Sequence, residues 1–160
     1  MYWMNYVPEF EIIAEVVFGA YLVWVAWQDY RTMQVVRFSH GLGVVAIFML
    51  SYVNWQRLWT NCGIYMATAF LLAGIQFGMH RMKAYGFADV IVLFMCGVYW
   101  LVQRGVAECL VAYALLMSLS VVLLWGAAYR KGNVHGTALK RPMPYIPYIC
   151  CAFFLTKGVL

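Results

Sequence analysis

Two aspartates, Asp29 and Asp89, are the only ones in this chain, and each stands at the end of a strongly apolar segment. Asp29 follows the first such segment, and Asp89 opens a later one within residues 86–90 (GFADV). Two carboxylates that share a site cannot easily both ionise, so such a pair holds one proton over its working range. One carboxylate can then act as general base on a water molecule while the other acts as general acid. If the two side chains meet, they predict aspartyl hydrolase chemistry.

The elements that must position these acids are membrane segments. The chain has 160 residues, of which 66% are hydrophobic and 11% charged, and its mean hydropathy is +0.77. Apolar runs close to the roughly 20 residues that cross a bilayer recur along it. We therefore predict an all-α, polytopic membrane protein that forms a single domain over residues 1–160. The six predicted spans cover residues 10–28, 38–53, 61–79, 87–102, 107–129 and 143–160.

The basic residues predict an orientation. The net charge of +5 comes from bases in short loops, so positive-inside topology explains them and no nucleic-acid partner is expected, whereas membrane lipid is. Eight bases share the side of Asp29 and three lie on the other side. This bias predicts that the Asp29 side is cytoplasmic and that both termini are outside. It also predicts that the two aspartates lie at the same membrane face and at similar depth. The first side holds Arg31, Arg37, Arg81, Lys83, Arg130, Lys131, Lys140 and Arg141, and the second holds Arg57, Arg104 and Lys157.

Each aspartate also has a purely structural interpretation. Asp89 at a helix N-terminus is favourable by a few tenths to about 1 kcal/mol. Asp29 would pair with Arg31 or a neighbouring base, although the dipole at a helix C-terminal end disfavours an anion. Glu15 precedes Asp29 by fourteen residues, roughly 20 Å along a helix. We expect Glu15 near the headgroups of the opposite interface, apart from any site at Asp29.

The remaining reactive side chains predict no metal or cofactor site. The five cysteines show no C-x-x-C spacing, so a zinc or thioredoxin-like site is unsupported. Cys62 and Cys109 both fall near the predicted outer face, which leaves a disulfide between them open. A cysteine peptidase built on His80 and Cys96 is disfavoured, because Cys96 lies about two turns inside its span while His80 is interfacial.

Three stretches resemble the type IV prepilin peptidases, membrane aspartyl proteases of the Gly-x-Gly-Asp type that include archaeal preflagellin peptidases. Residues 29–36 (DYRTMQVV) look like the family's Asp followed five residues on by Ile-Pro-Asn. Residues 86–90 (GFADV) look like Gly-x-Gly-Asp-Val-Lys, and residues 143–148 (MPYIPY) look like the Ile-Pro-Phe-x-Pro-Phe that opens the last helix. The order, the spacing and the six-span layout are similar too, so the resemblance covers nearly the whole chain.

The resemblance implies a membrane aspartyl endopeptidase that works without metal or cofactor. It would cleave the leader of pilin or pilin-like precursors on the cytoplasmic side of the inner membrane, just before their hydrophobic helix. It implies Asp29 and Asp89 as the catalytic pair. The residues it implies as site-shaping or substrate-binding are Gly86, Phe87, Ala88, Pro144 and Pro147.

The chain departs from the family pattern at four positions. Val36 and Arg37 stand in place of Pro and Asn, Ala88 in place of the second Gly, and Ile91 in place of Lys. The Cβ of Ala88 occupies a position where glycine would allow positive φ or the close approach of a substrate backbone. This departure keeps open a rival from another class, a divergent member that acts as a non-catalytic scaffold of a pilus or secretion system.

Two loops complete the prediction. The first cytoplasmic loop spans only about residues 30–37, so the cysteine-bearing methyltransferase insert of larger family members is not expected there. The basic loop over residues 130–141 is interpreted either as a contact for anionic lipid headgroups or as a flap near the site.

Overall fold

The computed structural model describes residues 8–82, 85–135, 138–139 and 142–160, with backbone alone for Pro8, Val134, His135, Ala138 and Leu139. The described chain is helical apart from two-residue strands, β1 (Val134–His135) and β2 (Ala138–Leu139), which pair antiparallel. The all-α prediction is therefore confirmed. The helices are α1 (Pro8–Thr32), α2 (His40–Val53, preceded by a 3₁₀ turn at Arg37–Ser39), α3 (Trp55–Thr60), α4 (Cys62–Arg81), α5 (Phe87–Arg104), α6 (Val106–Arg130) and α7 (Ile146–Val159).

Four of these helices are long and apolar enough to cross a membrane, namely α1, α4, α5 and α6. This is the pattern of a membrane protein. Helices α2 and α7 are apolar but have 14 residues each, or about 21 Å of rise against a hydrocarbon core of about 30 Å. A helix thus occurs at each of the six predicted spans, but only four of them reach crossing length.

Helix α5 lies at the centre of the bundle. It packs against α2, α4, α6 and α7, and most of its residues from Val92 to Val102 are buried. Such burial requires a helix that is apolar on nearly every face. Helix α1 packs between α2 and α7 and reaches α5 through Phe18, whose ring stacks on Tyr99 with centroids 4.7 Å apart. The first and fifth helices, which carry the two aspartates, are therefore in direct contact.

Two glycines allow the helices around α5 to approach closely. A Cβ on Gly43 of α2 would lie 2.8 Å from the Tyr21 ring of α1 and 2.9 Å from the Met95 sulfur of α5. A Cβ on Gly97 of α5 would lie 3.2 Å from the Tyr113 ring of α6. Small residues at such contacts let helices pack tightly in lipid, where burial of apolar surface does not drive association. Both contacts help to hold α5 in place.

A polar network joins α1, α5 and α7 at the end of the bundle away from Asp29. The Lys157 ammonium of α7 lies 2.6 Å from the Glu15 carboxylate of α1 and donates to the Tyr99 hydroxyl at 3.1 Å. The Gln103 amide of α5 donates to Glu15 at 3.0 Å and to Glu11 at 2.5 Å. Lys157 also lies in the last turn of α7, where the helix dipole favours a cation. Glu15 thus lies at the end of the bundle opposite Asp29, as expected, and it also joins α1 to α5 and α7.

We predict that Lys157→Met lowers the free energy of unfolding by roughly 1.5–3 kcal/mol, the range for hydrogen bonds to charged groups. The loss stays below that of a fully buried pair because the Lys157 and Glu15 side chains are 34% and 27% exposed. Denaturation in detergent micelles measures it.

The matched double variant Glu15→Gln/Lys157→Met removes both charges and should recover part of the loss. Lys131→Met, at an exposed position, should stay within about 0.5 kcal/mol of wild type. A cost for Lys131→Met as large as that for Lys157→Met would show that the network contributes nothing specific.

Candidate active site

Asp29 lies in the last turn of α1 and is only 7% exposed. Its carboxylate accepts the backbone N–H of Ile146 at 3.0 Å and also meets the backbone N–H of Tyr145. Ile146 begins α7, so its N–H has no acceptor within that helix, and an anion there also complements the helix dipole. The alternative partner Arg31 lies instead over the Trp27 ring, 4.3 Å from its centroid. Asp29 is therefore paired with the N-terminus of another helix, and no base in the described part of the chain forms an ion pair with it.

Asp89 is the third residue of α5 and is half-buried. Its carboxylate reaches back to accept the backbone N–H of Gly86 at 2.9 Å, which is the acidic half of a capping box. A Cβ on Gly86 would lie 3.0 Å from the Asp89 Oδ2 atom. The Gly86 backbone is extended, with φ −66° and ψ 161°, a conformation open to any residue. A side chain at 86 would therefore crowd the Asp89 carboxylate, whereas the backbone dihedral angles would accept one.

The structure brings the segments that hold the two carboxylates to one end of the bundle, because Tyr85, next to the Gly86 amide, stacks on Tyr145, next to the Ile146 amide. Asp29 and Asp89 lie within electrostatic reach of each other. The C-terminal end of α1 and the N-terminal ends of α5 and α7 therefore meet at one place. These are the three stretches that the sequence singled out.

The residues around Asp89 lie at the surface of this site. Phe87 is 64% exposed, and its ring meets that of His80 edge to face with centroids 5.7 Å apart. Ala88 lies in the first turn of α5 and does not have positive φ. Alanine at this position therefore causes no backbone strain.

The two prolines flank the start of α7. Pro144 precedes Tyr145, and Pro147 is the second residue of the helix. The first-turn amides of a helix have no intrahelical acceptor, so the missing N–H of Pro147 costs no hydrogen bond. The N–H of Ile146 remains and donates to the Asp29 carboxylate at 3.0 Å.

Several residues of the site were not identified from the sequence. The Tyr85 ring stacks on that of Tyr145 at 5.0 Å with an interplanar angle of 2°, and the Tyr145 hydroxyl lies 2.7 Å from that of Ser120 on α6. The Gln28 amide oxygen accepts the Ser39 hydroxyl at 2.9 Å and so secures the loop that follows Asp29. The sequence could have indicated the two tyrosines by their neighbours, because Tyr85 directly precedes Gly86 and Tyr145 lies between the two prolines.

The cysteines and His80 do not form a second reactive site in the described part of the chain. All five cysteines are free thiols, so the disulfide left open between Cys62 and Cys109 is not formed. Cys96 is fully buried in the core, whereas the His80 ring nitrogen faces the Tyr85 carbonyl at 3.4 Å. No group of three His, Cys, Asp or Glu side chains suited to a metal occurs in the described part of the chain. Three of the counted bases lie outside the described residues, namely Lys83, Lys140 and Arg141. Residues 136–137 of the basic loop also lie outside them.

A scan against protein-family models, a search of curated proteins and a search of solved structures found no match to this chain. A function for the site therefore rests on its geometry and on the three stretches that form it.

We predict that Gly86→Ala destabilises the protein by roughly 1–2 kcal/mol, in the range for overpacking. The new Cβ would displace the Asp89 carboxylate from the Gly86 N–H. Unfolding in micelles measures the change.

Gly74→Ala is the matched control, because a Cβ there has no neighbour within 4 Å. In the interior of α4 it should be neutral or stabilising by up to about 1 kcal/mol. Equal effects of the two replacements would contradict the steric role of Gly86.

Proposed function

We propose that this protein is a membrane aspartyl endopeptidase that removes the leader from pilin or pilin-like precursors. The observation that carries the proposal is the proximity of the chain's only two aspartates. Asp29 and Asp89 come from different helices, yet they lie at one end of the bundle within electrostatic reach. Buried acids in membrane bundles are costly, and they commonly mark functional sites.

The arrangement supports general acid–base hydrolysis of a peptide bond. With one proton on the pair, the ionised carboxylate takes a proton from water while the protonated one donates to the scissile carbonyl. The Ile146 and Gly86 amides hold the two carboxylates in place. Asp29 is 7% exposed and Asp89 is half-buried.

The substrate class comes from the resemblance to prepilin peptidases. Its three stretches are far apart in the sequence, and the fold joins them through Asp29, Asp89 and the start of α7. The helical conformation of Ala88 means that the departure from the second family glycine leaves the backbone under Asp89 undisturbed. These two points favour a working site over a relic of one.

We further propose six crossings, termini outside and a site at the cytoplasmic face of the inner membrane. Local thinning of the bilayer and tilt accommodate short apolar helices such as α2 and α7 at modest cost. The orientation is supported by bases on the aspartate side that are exposed: Arg31, Arg37, Arg81, Arg130 and Lys131.

One observation favours the second candidate, a non-catalytic scaffold for pilus or secretion assembly. Each carboxylate already accepts a backbone N–H at the start of a helix. Helix capping alone would account for an acid at each position. The two candidates therefore differ in whether proton transfer, and not only hydrogen-bond acceptance, is required.

Asp29→Asn and Asp89→Asn separate these roles, since asparagine keeps an acceptor oxygen but cannot act as acid or base. With a co-expressed candidate prepilin, we predict that each variant lowers the rate of leader removal by at least about 100-fold. Gel mobility and mass of the pilin measure processing.

Glu108→Gln is the matched control, because Glu108 is an exposed acid in the first turn of α6, and it should process normally. Unaltered processing in either asparagine variant would end the aspartyl proposal. Absence of cleavage by the wild type, with pilus assembly supported equally by all variants, would favour the scaffold.

A further inference from the structure

Two tyrosines connect the segments that hold the aspartates. Tyr85 directly precedes Gly86, whose N–H binds Asp89 at 2.9 Å. Tyr145 directly precedes Ile146, whose N–H binds Asp29 at 3.0 Å. The two tyrosine rings lie parallel, 5.0 Å apart at 2°. Each amide that holds a carboxylate is therefore adjacent in the chain to one ring of the stack.

We propose that the Tyr85–Tyr145 stack is a positioning device that sets the spacing of Asp29 and Asp89. The proposal rests on the proposed peptidase function, for which this spacing matters. The rings contact no reacting atom in this account; they act through the Gly86 and Ile146 amides. The stack joins the loop before α5 to the start of α7, and it thereby joins the two halves of the site.

The Tyr145 side of the stack is anchored in the bundle. Tyr145 is 5% exposed, and its hydroxyl lies 2.7 Å from the Ser120 Oγ atom. Ser120 gives its single hydrogen to the Met117 carbonyl at 2.9 Å, so the Tyr145 hydroxyl is the donor in the contact with Ser120. The orientation of the Tyr145 ring is thereby tied to α6.

The Tyr85 side of the stack is held more loosely. Tyr85 is half-buried and lies between α4 and α5. Its carbonyl faces the His80 Nδ1 atom at 3.4 Å, a long contact. The ring contact with Tyr145 thus links the loop before Gly86 directly to the start of α7, in addition to the packing of α5 against α7. Loss of this restraint would let Asp89 move away from Asp29.

Kinetics of leader removal test the role in catalysis. Tyr85→Leu keeps an apolar side chain but abolishes the stack. We expect it to lower kcat by about 10- to 100-fold with KM little changed, since misplacement by about 1 Å can cost 100-fold. Tyr85→Phe keeps the ring and should restore kcat to within about threefold of wild type. Tyr129→Leu, at a 78% exposed position on α6, controls for loss of a tyrosine.

A distance measurement tests the same device without any activity. One spin label is placed on Cys151, an exposed native cysteine of α7, and another on Phe87→Cys at the start of α5, with exposed Cys62 replaced by serine. Pulsed electron paramagnetic resonance in lipid nanodiscs then gives the spread of the interspin distance. We expect Tyr85→Leu to broaden or shift this distribution and Tyr85→Phe to leave it as in the parent.

The two readouts separate the possible failures. An unchanged distance distribution in Tyr85→Leu overturns the positioning device, whatever the activity. An equal loss of kcat in Tyr85→Phe and Tyr85→Leu also overturns it, because the ring would then not be the element that matters. A broadened distribution together with no cleavage by the wild type keeps the device and removes the peptidase proposal.

Discussion

A carboxylate that is 7% exposed inside an apolar bundle must have a hydrogen-bond partner, and Asp29 finds one in the first amide of α7. This bond fixes the end of α1 against the start of α7. Tyr145 lies next to that amide and stacks on Tyr85. The loop of Tyr85 then leads into the Gly86 amide that holds Asp89. The Asp29 bond and the tyrosine stack thus link the two segments that hold the acids.

The same helices are joined again at the other end of the bundle. Glu15 of α1 meets Lys157 of α7 at 2.6 Å, and Gln103 of α5 donates to Glu15. Along their helices, Glu15 and Asp29 are separated by roughly 21 Å, and Ile146 and Lys157 by roughly 16 Å. Contacts near both ends restrain sliding and tilting of α7 against α1, because either movement would separate one of the pairs. A proton-sharing pair needs such restraint, since its chemistry depends on a fixed distance between two side chains.

Local patterns in the sequence predicted the features that depend on neighbouring residues. Apolar runs located the six helical segments, and the distribution of basic loops placed Asp29 and Asp89 at one face. Contacts between distant segments gave no such signal: Glu15 and Lys157 stand 142 residues apart, and Tyr85 and Tyr145 look like ordinary interfacial aromatic residues. The hydropathy pattern also did not predict that α2 and α7 are helices of only 14 residues. The reason for glycine at 86, room for the Asp89 carboxylate, required coordinates.

Aspartate-selective labelling tests directly whether Asp29 and Asp89 form one coupled site, because the chain contains no third aspartate. Protein grown on [4-¹³C]aspartate and placed in nanodiscs gives two carboxyl signals whose shifts can be followed by NMR as pH is varied. A coupled pair titrates in two macroscopic steps that both nuclei report, and the Asp29→Asn replacement should displace the titration of the remaining Asp89 signal. Two independent single-step curves, with Asp89 indifferent to the replacement of Asp29, would contradict a shared site.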